Sequence, residues 1–141
     1  MLKEKYEFYK RTYDKYLIII KSGNFYICIN EDALILHKLF NYKIIELNNF
    51  IKVGFPLSNI DKIVNDIELK QINYIIVDEE IIQKQKYKNN QYNKNLLAYD
   101  NYQICINRIN KISEILKNNI INSNIKNTLN QIEELVCKIS Y

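Results

Sequence analysis

Lys84, Lys86, Lys88 and Lys94 interleave with Tyr87 and Tyr92 in a stretch, 83–95, that has no acidic side chain. Ammonium groups set between flat rings can neutralise a phosphate backbone and stack on bases. The plainer reading of the same stretch is a solvated linker, because it is polar and carries no helical period. Other reactive groups are poorly placed for chemistry. His37 is the one histidine, and no Ser or Cys stands at a spacing that would make a nucleophilic triad with it. Glu79-Glu80 and Glu133-Glu134 are adjacent pairs, whose side chains diverge on a strand or a helix, so they make poor acid/base dyads. Cys28, Cys105 and Cys137 are odd in number, far apart and without Cys-x-x-Cys spacing, which reads as reduced thiols rather than a zinc site. No Gly-Lys-Ser/Thr phosphate loop is present. The sequence thus predicts no catalytic residue, no metal and no cofactor.

The elements around these groups are punctuated sparingly. The 141 residues contain two glycines and one proline, and Gly23, Gly54 and Pro56 fall in two short motifs. Gly23-Asn24 separates the apolar runs 16–20 and 25–29, a two-residue hairpin signal. Alternation along the second strand places Phe25, Ile27 and Ile29 on one face and Tyr26 and Cys28 on the other. Phe25 then stands at the hairpin tip and is expected to be solvent-exposed. Asn30-Glu31-Asp32 is expected to cap a helix running to Phe40. Short strands are predicted at 43–46 and 50–53, then a helix capped by Ser58 or Asn59 that buries Ile60, Ile63, Val64 and Ile67. Tyr74 to Val77 reads as an interior strand. At the N-terminus, Tyr6, Tyr9, Tyr13 and Tyr16 recur at helical spacing, most simply as a helix face packed on a sheet.

Two motifs carry a family resemblance. Lys21-Ser22-Gly23-Asn24-Phe25-Tyr26-Ile27, followed by Glu31-Asp32-Ala33, resembles the Arg-Met-Gly-Asp-Phe-Tyr-Glu and acidic-Ala helix start of the MutS mismatch-recognition domain. Val53-Gly54-Phe55-Pro56-Leu57-Ser58 resembles that family's Ala-Gly-Val-Pro-Tyr-His, and a helix and a strand follow it in the same order. The resemblance covers about residues 6–78. It implies that Phe25 wedges beside a mispaired base, with Lys21, Asn24 and Tyr26 around it. The family's Glu, which hydrogen-bonds the mispaired base, is replaced by Ile27, which can neither donate nor accept. The family's Asp before the Phe is Asn24, and the His of the second motif is Ser58. Stacking on a nucleic acid remains within reach of these residues, while mismatch reading through a carboxylate does not.

The resulting expectation is a mixed β-sheet flanked by helices over 1–79, a polar linker over 80–95, and a helical hairpin over 96–141. In the hairpin, Tyr102, Cys105, Ile109, Ile112 and Leu116 form one seam, and Ile125, Leu129, Ile132, Val136 and Ile139 another. Further isoleucines at 104, 106, 115, 120 and 121 predict burial against a second copy or a partner. A net charge of +4 permits nucleic-acid contact without demanding it. The weight of Asn, Ile, Lys and Tyr is what AT-rich coding yields. No charged-then-apolar leader opens the chain and no run nears the roughly 20 apolar residues that span a bilayer, so a cytoplasmic, membrane-free protein is expected. Two function classes stay open. One is a non-enzymatic accessory protein that binds DNA or RNA weakly, similar to the MutS-like helpers of reverse transcriptases in diversity-generating retroelements. The other is a protein-interaction module on the same fold. The nucleic-acid binding set is Lys21, Asn24, Phe25, Tyr26, Lys84, Lys86 and Lys88.

Overall fold

The computed structural model describes residues 1–139, apart from the side chains of residues 97–100. The chain divides into two compact units, Met1–Asn101 and Tyr102–Tyr141. In the first, helix α1 (Leu2–Thr12) precedes the hairpin β1 (Leu17–Ser22) and β2 (Phe25–Ile29). Helix α2 (Asn30–Phe40), strands β3 (Ile45–Glu46) and β4 (Ile51–Pro56), helix α3 (Ile60–Leu69) and strands β5 (Tyr74–Asp78) and β6 (Glu80–Gln85) follow. The six strands order as β3-β4-β2-β1-β5-β6. Only β1 and β5 pair in parallel; every other neighbour is antiparallel.

The continuous apolar runs 17–20 and 74–77 are these two central strands, buried on both faces. One face carries Leu17, Ile19, Cys28, Val53, Phe55, Tyr74 and Ile76 under α2 and α3. The other carries Ile18, Ile20, Ile27, Ile29, Ile75 and Val77, with Tyr6 of α1 buried against them and Tyr9, Tyr13 and Tyr16 packed beside. The tyrosine stripe is therefore a helix face on a sheet.

The segment expected to be a polar linker is structured. Residues 80–85 form β6, an edge strand paired with β5, and helix α4 (Tyr92–Asn118) begins inside the expected linker. An edge strand has one bonded side and two largely wet faces, so five of its six residues are exposed and no apolar alternation appears. The loop after it is tied by asparagines. Asn90 Oδ1 accepts from the Asn73 and Tyr92 N–H groups at 2.9 and 3.2 Å, and its Nδ2 donates to the Lys15 carbonyl at 2.8 Å. Asn73 Oδ1 accepts from the Tyr87 N–H at 2.6 Å.

The second unit holds the rest of α4 and helix α5 (Ile125–Ile139), with Asn122-Ser123-Asn124 between them. Half-buried positions of α4 in this unit are Tyr102, Ile106, Ser113 and Leu116. This stripe lies beside the expected seam, because Cys105, Ile109 and Ile112 are exposed. The end of the expected hairpin, residues 140 and 141, lies outside the described residues.

Candidate nucleic-acid interface

The hairpin tip follows from one glycine. Ser22 pairs with Phe25 across a two-residue loop, and Gly23 takes φ 60°. Asn24 does not share that positive φ, which fits a turn needing it only at its first central residue. The tip is braced from the second motif. Phe25 pairs with Pro56, Tyr26 with Phe55 and Ile27 with Gly54, and the Leu57 N–H donates to the Asn24 carbonyl at 3.3 Å. The two motifs are therefore neighbouring strands of one surface.

Phe25 is 50% exposed at this braced tip. Tyr26 points the other way. Its ring lies 5.7 Å from that of Phe55, which in turn stacks on Tyr42 at 5.9 Å. That ring serves packing beneath the tip, so it stands apart from the face that Phe25 presents. Lys21 ends at the same tip but is paired with Asp78 at 3.4 Å. Ile27 is nearly buried on the Phe25 face. The carboxylate of the resembled motif would have sat where this chain places a methyl-lined floor.

Lys84, Lys86 and Lys88 are exposed but far from Phe25. Lys84 lies on β6, and β1 and β5 stand between β6 and β2. Three strand spacings separate those strands by about 14 Å. The Lys84 ammonium sits 5.6 Å from the centre of the Tyr13 ring. Tyr92 is not available for stacking: it is buried and engaged elsewhere. The structure thus keeps Asn24 and Phe25 together at the tip, turns Lys21 to the Tyr26 side of the sheet toward Asp78, and sets the three β6-side lysines apart as a separate basic strip.

Sequence reasoning missed a buried ionic cluster at the other end of β2. Asp32 caps nothing; it is wholly buried. Lys10 of α1 reaches its two oxygens at 3.0 and 3.1 Å. The Tyr92 hydroxyl donates to Asp32 Oδ1 at 2.6 Å and the Ile18 N–H to Oδ2 at 3.0 Å. Lys10 also donates to the Tyr16 carbonyl and the Tyr92 oxygen at 2.7 and 2.8 Å. Burial raises the Asp32 carboxyl above its usual range, against the pull of Lys10 and the hydroxyl and amide donors. Burial also raises the Tyr92 and Cys28 groups, with Asp32 adding to both. The Tyr6 hydroxyl is buried nearby without a well-aligned partner. The only signal in the sequence was Lys10 on the tyrosine-bearing helix, and nothing there tied it to Asp32 or Tyr92.

The lone histidine is structural. The His37 Nδ1–H donates to the Tyr42 carbonyl at 2.6 Å and closes the loop after α2. Among the described residues no group of three His, Cys, Asp or Glu could hold a metal, and no helix is long and apolar enough to cross a membrane.

No curated protein matches the chain. A family model does, and it reaches beyond the two motifs. The model of MutS domain I matches residues 1–127, taking in the hairpin, the Gly54-Pro56 strand, β6 and all of α4. With nine-tenths of its length inside that match and both motifs paired on one mixed sheet, the chain belongs to the MutS domain I family.

Proposed function

We propose that this chain is a non-enzymatic nucleic-acid-binding accessory module that engages bases through Phe25 and senses mismatches poorly. The observation that carries the reading is the half-exposed Phe25, held on a two-residue turn and braced by Leu57 and Pro56. A ring fixed in this way loses little freedom when it stacks. Asn24 stands beside it on the turn, and Lys84, Lys86 and Lys88 form a separate strip that attracts phosphates. Ile27 in place of a carboxylate removes a group that could read a base edge. Binding is therefore weak, salt-sensitive and nearly blind to base identity. A helper role beside a reverse transcriptase of a mobile element rests on the resemblance to MutS-like accessory proteins alone.

Gel shifts of paired, mispaired and single-stranded DNA, and of RNA, at 50 and 200 mM salt test the reading (on the order of the range over which counterion release is measurable). No binding at the lower salt would leave the interaction module as the better reading. A strong mismatch preference would mean that a residue other than Ile27 reads the base.

The second unit favours an assembly role alongside this one. Ile104, Ile109, Ile112 and Ile115 on α4 are all half or more exposed, as are Leu135, Val136 and Ile139 on α5. Exposed apolar area is unfavourable by about 25 cal/mol per Å². Pairing with a second copy in a four-helix arrangement would cover it. Light scattering of the full chain is the test, and a monomer at high concentration defeats the self-pairing.

A further inference from the structure

Three lysines from three helices meet at the end of the first unit that lies away from Phe25. A concavity of about 560 Å³ there is lined by Lys38, Lys70, Gln91, Lys94 and Asn95. Lys38 stands in the last turn of α2, Lys70 is the C-cap of α3, and Lys94 stands in the first turn of α4. The end of α3 and the start of α4 are tied together, because the Gln91 N–H donates to the Gln71 carbonyl at 3.0 Å. The Gln91 and Asn95 side-chain amides donate to the carbonyls of Asn89 and Gln91 at 3.1 and 2.9 Å. Amides thus hold the rim, and the ammoniums alone carry its charge. Gln71 lies just before β5, whose first residue, Tyr74, pairs with Leu17 at the start of β1. Phe25 pairs with Ser22 at the other end of β1, about 16 Å along the strand. Phe25 also shares the face of Ile27, whereas α2 and α3 cover the opposite face.

The charges are unbalanced. No carboxylate is among the lining residues, and among the described residues none of the three lysines pairs with one. A cation at the C-terminal end of a helix suits the helix dipole, which accounts for Lys38 and Lys70 taken singly. It does not account for Lys94. The first turn of α4 carries this lysine and no acidic residue, against the positive end of the dipole. Residues that break a local rule without a gain in stability cluster at functional sites.

The lining also selects among anions. It has no ring and no aliphatic wall, so neither a base nor the apolar anchor of a protein partner finds a seat. Lysine offers a compact point charge with rotating donors, suited to phosphate oxygens. A space of this size, with one charge from each of three helices, suits a run of two or three phosphates better than a single tetrahedral ion. We propose that this concavity is an anion site for a short phosphate chain, a di- or triphosphate, held by Lys38, Lys70 and Lys94. The site is separate from Phe25 and does not depend on the nucleic-acid reading above. The phosphates of a nucleic-acid strand share this chemistry, and the experiment separates the two sources.

The test is isothermal titration of the full chain with inorganic tripolyphosphate, at low salt and without divalent cations. The expected result is saturable binding that weakens about fivefold in each of Lys38→Gln, Lys70→Gln and Lys94→Gln. Lys62→Gln, at an exposed position of α3 outside the concavity, should leave it unchanged. A nucleoside triphosphate should bind no tighter than tripolyphosphate, since nothing in the lining meets a base. Lys94→Glu should abolish the binding while thermal stability is kept or raised, because a carboxylate suits the first turn of a helix. Single-stranded DNA should bind this variant as it binds the parent. No saturable binding, binding unchanged in all three glutamine variants, or a hexaglutamate peptide held as tightly as tripolyphosphate overturns the proposal. A melting loss in Lys94→Glu overturns it too, by giving Lys94 a role in the fold. So does an equal loss of DNA binding in that variant, which assigns the lysines to strand phosphates.

Discussion

The two ends of β2 treat polar and aromatic groups in opposite ways. At the Phe25 end a ring is half exposed, and ammoniums line an open slot beside it. At the other end, past Ile29, the carboxylate of Asp32 is wholly buried and takes bonds from Lys10, Tyr92 and the Ile18 amide. Only seven positions separate Phe25 from Asp32. The buried end joins three elements, since Lys10 lies on α1, Asp32 on α2 and Tyr92 on α4. The open end is braced only by the neighbouring strand β4 and the Leu57 amide, and leaves the Phe25 ring half exposed. A saturated cluster ties elements together, and an open one leaves its groups in contact with solvent.

The comparison breaks most visibly at Lys10. Lys10→Met leaves the Asp32 carboxylate buried without its cation, and should cost about 3–5 kcal/mol in denaturant unfolding. The loss should shrink as pH falls. Burial already holds the Asp32 carboxyl above its usual range, and removing Lys10 raises it further. The folded variant then binds a proton that the unfolded chain releases, so its stability falls as pH rises through that interval. A gap between variant and parent that widens in acid would contradict this assignment. Phe25→Ala should do the reverse of Lys10→Met. Affinity for nucleic acid should drop by about 1–3 kcal/mol, roughly 5- to 150-fold, the worth of one base stack. Thermal stability should stay near that of the parent, because the ring is half exposed. A melting loss comparable to that of Lys10→Met would erase the distinction between the two ends.

Smaller changes sharpen it. Tyr92→Phe removes one hydroxyl from the buried cluster and should cost about 1–2 kcal/mol, with nucleic-acid affinity unchanged. Changing Lys84, Lys86 and Lys88 together to Ala should have the least effect. It should weaken all nucleic acids alike and lower the salt slope by roughly 0.9 for each phosphate no longer neutralised. A change in preference between paired and unpaired substrates would place these lysines in the Phe25 site, against their separation on the sheet.

The parts legible in the sequence were those fixed by local chemistry. Gly23-Asn24 between apolar runs gave the hairpin, and alternation gave the opposite faces of Phe25 and Tyr26. The runs at 17–20 and 74–77 are rich in isoleucine because both of their faces are buried. Illegible parts depended on partners distant in the chain. Asp32 reads as a cap until Lys10 and Tyr92, 22 residues before it and 60 after it, are seen around it. Asn90 reads as part of a polar linker until its side chain is found holding the Asn73 and Tyr92 N–H groups. Lys43 and Lys52 carried no signal, since their convergence on one slot is set by the β3–β4 register and the loop before β3.

One edge of the sheet has a consequence for how the protein behaves in a crowded solution. A strand with one unbonded side is a template on which another extended chain can add. β6 is such a strand, six residues long, with Glu80, Gln83, Lys84 and Gln85 along it and a register irregularity where β5 meets it at Ile76/Val77. Charge, amides and the local kink all discourage a second strand from docking there. The polarity that hides β6 from a periodicity search is thus also its protection against aggregation. Ile82, 56% exposed in the middle of that edge, is the point at which the protection is thinnest.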